Sequence, residues 1–395
     1  MRVARGFRRA LPTPIVRAML PRSPHEPHRT ATPLELFFDL VFVVAIAQAS
    51  AGLHHAASED HLAAGLLAFV MAFFGIWWAW MNFTWFASAY DCDDIPYRLL
   101  VFVQMTGALI FTAGLEAMAA GDLRLGVAGY VVMRLAMVTQ WLRAAHGDQA
   151  RRATALRYAT GIAGVQLLWI GMLAVPPAGV VPGFFTLVAL ELLVPVWAER
   201  AGGTPWHPHH IAERYGLMTI IVLGESVLAA TLATERALAA GQAFGSLVPV
   251  VVGGILTMYA MWWFYFDHPW HEELTSFGRT FAWGYGHVAV FAAAAMAGAA
   301  IAVAVDQVTG SSHLDPRAAG ALLAGPVAVY LALLWFLQGR ARARDGRRTV
   351  VLALALAALV GAPFTSEPVL ATGLALALSL AATLQLRRRA TALSA

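Results

Sequence analysis

Long apolar runs broken by short polar punctuation fill the chain from residue 33 onward. A helix needs about 20 apolar residues to cross the hydrocarbon of a bilayer. On that criterion the pattern predicts helices over 33–53, 62–88, 96–119, 123–143, 155–174 and 182–199. A second set follows over 211–233, 246–267, 279–305, 317–338, 349–364 and 368–386. The expected fold is therefore all-α, a polytopic transmembrane helix bundle of about twelve spans. The eleventh segment is the shortest of them. Val350 to Val360 is a brief apolar stretch followed by Pro363, which reads either as a span or as half of a re-entrant hairpin.

Composition agrees with lipid as the main solvent. Hydrophobic residues make up 59% of the 395 and charged residues only 13%, about half the share of a soluble domain. The basic balance of 27 Lys plus Arg, all of them Arg, invites a nucleic-acid reading. The arginines sit in short loops between apolar runs, however, a topological pattern rather than a nucleic-acid patch. With Cys92 the single cysteine, an intramolecular disulfide and a cysteine-rich metal site are excluded. Residues 1–32 carry seven Arg and five Pro with no compact apolar stretch. They read as a disordered basic cytoplasmic tail, not a cleaved signal peptide.

Charge also orients the spans. With a cytoplasmic N-terminus, the inner segments hold 23 of the 27 Arg, and the outer loops only Arg124, Arg236 and Arg317. This bias predicts that both termini are cytoplasmic. The spans also divide into two related six-helix halves, 33–199 and 211–388, with a linker over 200–210 and a short tail over 389–395. Glu35 opens the first half and Glu213 the second; Arg98 follows the former by 63 residues and Arg279 the latter by 66. Each half has an aromatic second helix, Trp77, Trp78, Trp80 and Trp85 in one and Trp262, Trp263, Tyr265 and Phe266 in the other. Six spans per half gives both the same orientation, a parallel repeat.

An ionisable group at the centre of a membrane helix costs about 2.5–3.5 kcal/mol on insertion scales, so each one needs a reason. Glu225, between Gly224 and Ser226, lies deep in its span. It reads as a proton or cation site, or as a neutral carboxyl satisfied by a neighbouring helix that Gly224 lets approach. Glu35 and Asp39 share one face of the first helix; capping accounts for Glu35, and Asp39 with Gln48 is expected to face the bundle interior. Arg134 lies mid-span and requires a counter-charge, for which Glu191 and Glu116 are the candidates in a structural ion pair. His287 reads as a proton relay toward Glu225 or as a satisfied core histidine. Asn82, Gln104, Gln140 and Gln166 read as inter-helix hydrogen-bonding groups. The loop histidines of 206–210 and 268–271, with Glu272 and Glu273, have the imidazole and carboxylate groups that could hold zinc; they lack the spacing of a metalloprotease and read first as solvated loop residues, with no metal or other cofactor expected.

Two segments carry a family resemblance: Thr32 to Val44, with Pro33, Glu35 and Asp39, and Glu213 to Ser226, with Arg214, Gly224 and Glu225. Together they resemble the bacterial low temperature requirement A family over residues 30 to about 388. That resemblance implies a multi-pass inner-membrane protein connected with growth in the cold, and brings no substrate, cofactor or catalytic residue. The first segment is also similar to the first helix of two-repeat, six-span potassium channels, departing from them at Phe38 and, in the second half, at Leu217.

The leading functional expectation is a secondary transporter of an unidentified solute, with Glu225 and Asp39 as proton, cation or substrate sites and Ser226, Gln48 and His287 as further binding candidates. A two-repeat cation channel and a non-transporting membrane scaffold are the alternatives. No nucleophile and base pair stands out, so an enzyme is not expected. The expected partners are the lipid bilayer and a small solute, proton or cation, with no nucleic acid.

Overall fold

The computed structural model describes residues 15–27, 29–338 and 346–394. Every regular element among them is helical: α1 (Pro33–Ser58), α2 (Leu62–Tyr90), α3 (Ile95–Ala113), α4 (Leu115–Ala119), α5 (Arg124–Gly147), α6 (Arg152–Gly171) and α7 (Pro177–Glu199). There follow α8 (Pro208–Ala239), α9 (Phe244–Phe266), α10 (Phe277–Val308), α11 (Pro316–Leu337), α12 (Gly346–Gly361) and α13 (Pro368–Ser394). All but the five-residue α4 are long and apolar enough to cross a membrane, giving twelve candidate spans among the described residues. The eleventh reaches span length because α12 starts at Gly346 and continues through a 3₁₀ turn over Ala362–Phe364.

Helix starts follow local chemistry. Pro33 occupies the first turn of α1, Thr32 accepts from the Glu35 N–H and Glu35 reaches back to the Thr32 N–H, a reciprocal capping box. Asp315 caps α11 by accepting from the Ala318 N–H at 2.8 Å. The third predicted helix, 96–119, is broken at Gly114, whose α-carbon lies against the backbone of Leu125 and Gly126. No side chain fits there, so close approach of α5 takes precedence over an unbroken helix.

The helices fall into two compact units. One consists of residues 1–26, 85–107 and 131–207; the other of 27–84, 108–130 and 208–395. In the first, Trp141 stacks on Tyr158 with ring centroids 4.1 Å apart and meets Phe86 edge-on at 4.9 Å. In the second, α10 packs on α8, α11 and α1. It is the most buried of the twelve spans, and α12 the least. The reason lies in its Ala293–Ala304 stretch, where small side chains allow neighbouring backbones to come close.

The segment read as a disordered tail over residues 1–32 lies outside the described residues at 1–14 and 28. The rest is anchored. The Arg17 N–H donates to Asp94 at 2.8 Å, the Arg22 N–H to the Ala89 carbonyl at 2.8 Å, and Met19 is buried. The inner charged loop read over 340–348 lies outside the described residues at 340–345, as does residue 395 of the final tail.

Candidate functional site

The largest cluster of buried charge in the second unit lies where α1 meets α8. Asp39 and Arg214 are each six residues into their helices, about 9 Å from the helix start. The Arg214 guanidinium places Nη2 2.5 Å from Asp39 Oδ1 and Nη1 3.0 Å from Glu35 Oε1, so one fork spans two carboxylates a helical turn apart. His210 Nε2 lies 3.0 Å from the same Glu35 oxygen, and Arg29 Nη2 lies 3.5 Å from it. Glu35, Asp39, His210 and Arg214 are at most 1% exposed. From α2, the Trp80 indole N–H donates to Asp39 Oδ1 at 2.7 Å. Asp39 Oδ2 is buried without a hydrogen-bond partner among the described residues. Beside the cluster, Glu213 accepts from the Ala31 N–H at 3.2 Å.

An aromatic layer continues inward from Trp80. Tyr215 meets Trp80 edge-on at 5.0 Å, Trp283 at 4.6 Å and His287 at 5.0 Å. The His287 Nδ1 lies 2.8 Å from the Trp283 carbonyl, an acceptor, so Nδ1 carries the proton. Nε2 is then the acceptor for the Tyr265 hydroxyl at 3.1 Å. His287 has both ring nitrogens engaged in this way, and neither meets Glu225.

Other predicted residues are placed differently. Glu225 is half-buried and has no hydrogen bond or ion pair among the described residues. Gly224 has open space beside it, so the close helix approach expected there does not occur. It occurs instead at Gly298 on α10, where an added Cβ would fall 2.5 Å from the Ser226 Cβ. Ser226 donates within α8 to the Val222 carbonyl at 3.0 Å, and its Oγ lies 3.2 Å from the Ala294 carbonyl. Gln48, expected inside, is exposed and lines a cleft of about 480 Å³ together with His61 and Glu116. The α1 helix places it nine positions beyond Asp39, two and a half turns on and rotated to a different face.

In the first unit, Arg134 Nη2 lies 3.1 Å from Glu191 Oε2, both at most 1% exposed. Glu191 Oε1 accepts from Gln166 at 3.0 Å and from the Trp169 indole at 3.3 Å. Glu116, the other candidate counter-charge, is exposed. The result is a hydrogen-bonded ion pair joining α5, α6 and α7.

Three members of the α1–α8 cluster lie outside the sequence candidates: Arg29, Trp80 and His210. The sequence groups His210 with solvated loop histidines, yet α8 begins at Pro208, three residues before the predicted start, which puts His210 in its first turn and fully buried. The available signal was its i, i+4 spacing from Arg214, which sets both on one helix face. His209 stays exposed, stacked on His271 with ring centroids 4.0 Å apart. No group of three metal-ligating residues occurs among the described residues.

Twelve apolar helices with charge buried between two of them define a polytopic α-helical integral membrane protein. The chain belongs to the family of the bacterial low temperature requirement A protein (LtrA), whose profile matches residues 30–384 and so takes in both helix-start segments. It is also 29% identical over 364 residues to an uncharacterized protein of Rhizobium meliloti (strain 1021), a match covering 84% of this chain and 83% of that one.

Proposed function

We propose that this protein is a secondary transporter of a small solute, with the Asp39–Arg214 pair as its coupling site. The observation that carries the reading is a carboxylate–guanidinium pair sealed inside a membrane helix bundle, with one carboxylate oxygen left unpartnered. The Glu191 carboxylate of the first unit differs in that it accepts from Arg134, Gln166 and Trp169. Removing one partner of a buried pair costs about 3–5 kcal/mol. Neutralising Asp39 would therefore bias α1 against α8, which is what a carrier needs in order to change access.

The repeat is part of this proposal. α1 and α8 are the first helices of the two six-helix halves, and one supplies both carboxylates while the other supplies the guanidinium and imidazole. A site between corresponding elements of two repeats is the usual arrangement in carriers. The Arg asymmetry supports an orientation with the α1 and α8 starts, and hence the cluster, toward the cytoplasmic face. Glu225 drops out of the coupling site, since nothing in its surroundings converts its protonation into a force on another helix.

The test is uptake by purified protein in liposomes exposed to a protein-free extract of uniformly ¹³C-labelled bacteria, read by mass spectrometry of the lumen. At least one labelled solute should accumulate saturably with the native protein and not with folded Asp39→Asn. A lumen identical to that of protein-free vesicles overturns the transporter, and native-like uptake by Asp39→Asn overturns the site.

A further inference from the structure

The geometry points to a proton, not a metal cation, as the ion that Asp39 takes up; this rests on the transporter reading above. The distinction follows from what surrounds the carboxylate. Hard cations such as sodium or potassium replace their water shell with several oxygen ligands. Asp39 Oδ1 faces nitrogen donors, the Arg214 guanidinium at 2.5 Å and the Trp80 indole N–H at 2.7 Å. The nearest second carboxylate, Glu35, is turned onto Arg214, His210 and the Thr32 N–H. One free oxygen beside a cationic fork is a poor cage for a metal ion but sufficient for a proton.

The charged and titratable groups around Asp39 come from every neighbouring element. α1 provides Glu35, α8 provides His210, Arg214 and, half-buried, Glu213, and the segment before α1 provides Arg29. α2 contributes only the neutral Trp80, and α10 reaches the site through Tyr215, against which Trp283 and His287 pack. A proton arriving on Oδ2 forms one O–H bond and breaks none in the protein, converting the carboxylate to a neutral acid. Arg214 keeps its charge, loses its anionic partner at Asp39 and retains Glu35. Release of the proton to the other side restores the pair. Each cycle thus carries one proton and no net change in the protein.

Trp80 reports on this step because its N–H is bonded to the same carboxylate. The experiment is ¹⁹F NMR of protein labelled with 5-fluorotryptophan in lipid nanodiscs, with Trp80→Phe assigning the signal. The Trp80 resonance should shift with pH as a single titration, survive His210→Gln, and stay put when sodium or potassium replaces choline at fixed pH and ionic strength. Asp39→Asn should abolish the titration. Should that variant not fold, Arg214→Lys, which keeps the charge but not the fork, must displace the midpoint. A resonance that moves with sodium or potassium, or that titrates unchanged in Asp39→Asn or Arg214→Lys, overturns the proton assignment. No solute is added, so the two claims fail separately. An empty lumen in the uptake assay refutes transport whatever Trp80 does, whereas uptake with a cation-sensitive Trp80 refutes the proton alone.

Discussion

Replacing Glu191 by Gln removes the negative half of the Arg134 pair while keeping its shape and an acceptor for Gln166 and Trp169. Both charges are at most 1% exposed, so the remaining guanidinium has neither water nor an anion to solvate it. Stranding a buried charge in this way costs about 3–5 kcal/mol, which is two to three and a half decades in the folded fraction at about 1.4 kcal/mol per decade. Neutralising both sides is a different perturbation. In Arg134→Gln/Glu191→Gln no charge remains buried and the amides can still hydrogen-bond, so stability should return to within about 1 kcal/mol of the native protein. Denaturant unfolding in detergent, followed by fluorescence of the single and double variants, measures the coupling between the two positions. A single variant that loses under 1 kcal/mol, or a double variant as unstable as the single, would refute a structural ion pair at this site.

Other regions yield independent expectations. Gly298→Val should destabilise by about 1–3 kcal/mol through overpacking against Ser226, and Ser226→Gly in the same chain should recover part of that loss in thermal unfolding. Asp94, in the loop before α3, is subject to burial, which raises its pKa, but the Arg17 and Tyr97 N–H groups and Arg143 outweigh this and hold it below the usual carboxylate value. A depressed folded-state value means its stabilisation is present above the unfolded carboxylate pKa and is lost as pH falls through the folded one. Asp94→Ala should thus cost about 0.5–2 kcal/mol at neutral pH as a lost helix cap, and the gap to the native protein should narrow in acid. A constant gap down to acid pH would contradict that assignment. Gly114→Leu should be poorly tolerated, reducing the yield of monodisperse protein, because its side chain would enter the backbone of Leu125 and Gly126.

Much of the fold is legible in the apolar pattern, because a membrane helix must satisfy its backbone internally and its length is set by the bilayer. Element ends are less so. α8 extends from Pro208 to Ala239, beyond the predicted 211–233, since Pro at a first turn reads equally as a linker residue. The need of Arg134 for a counter-charge is visible from one residue; which carboxylate supplies it depends on how α5 and α7 are rotated, and no sequence spacing encodes that. The same holds for the site. Asp39 is conspicuous as an acid past the capping turn, but Trp80 looks like one more member of an aromatic stripe until α2 is placed against α1. Glu225 is the converse case: its depth in the span is readable, whereas its half-buried, unpartnered setting depends on the neighbours of α8. Glycines show a similar limit. Gly224 and Gly298 look alike in the sequence, and only packing reveals that α10, through Gly298, is where α8 comes close.

The most direct test of the coupling site sets Asp39→Asn against Glu225→Gln in the same ¹³C-uptake assay. Both substitutions remove one carboxylate from a predicted span and change volume little. The account predicts loss of uptake for Asp39→Asn and near-native uptake for Glu225→Gln, each in folded protein. The reverse result, with Glu225 required and Asp39 dispensable, would contradict it.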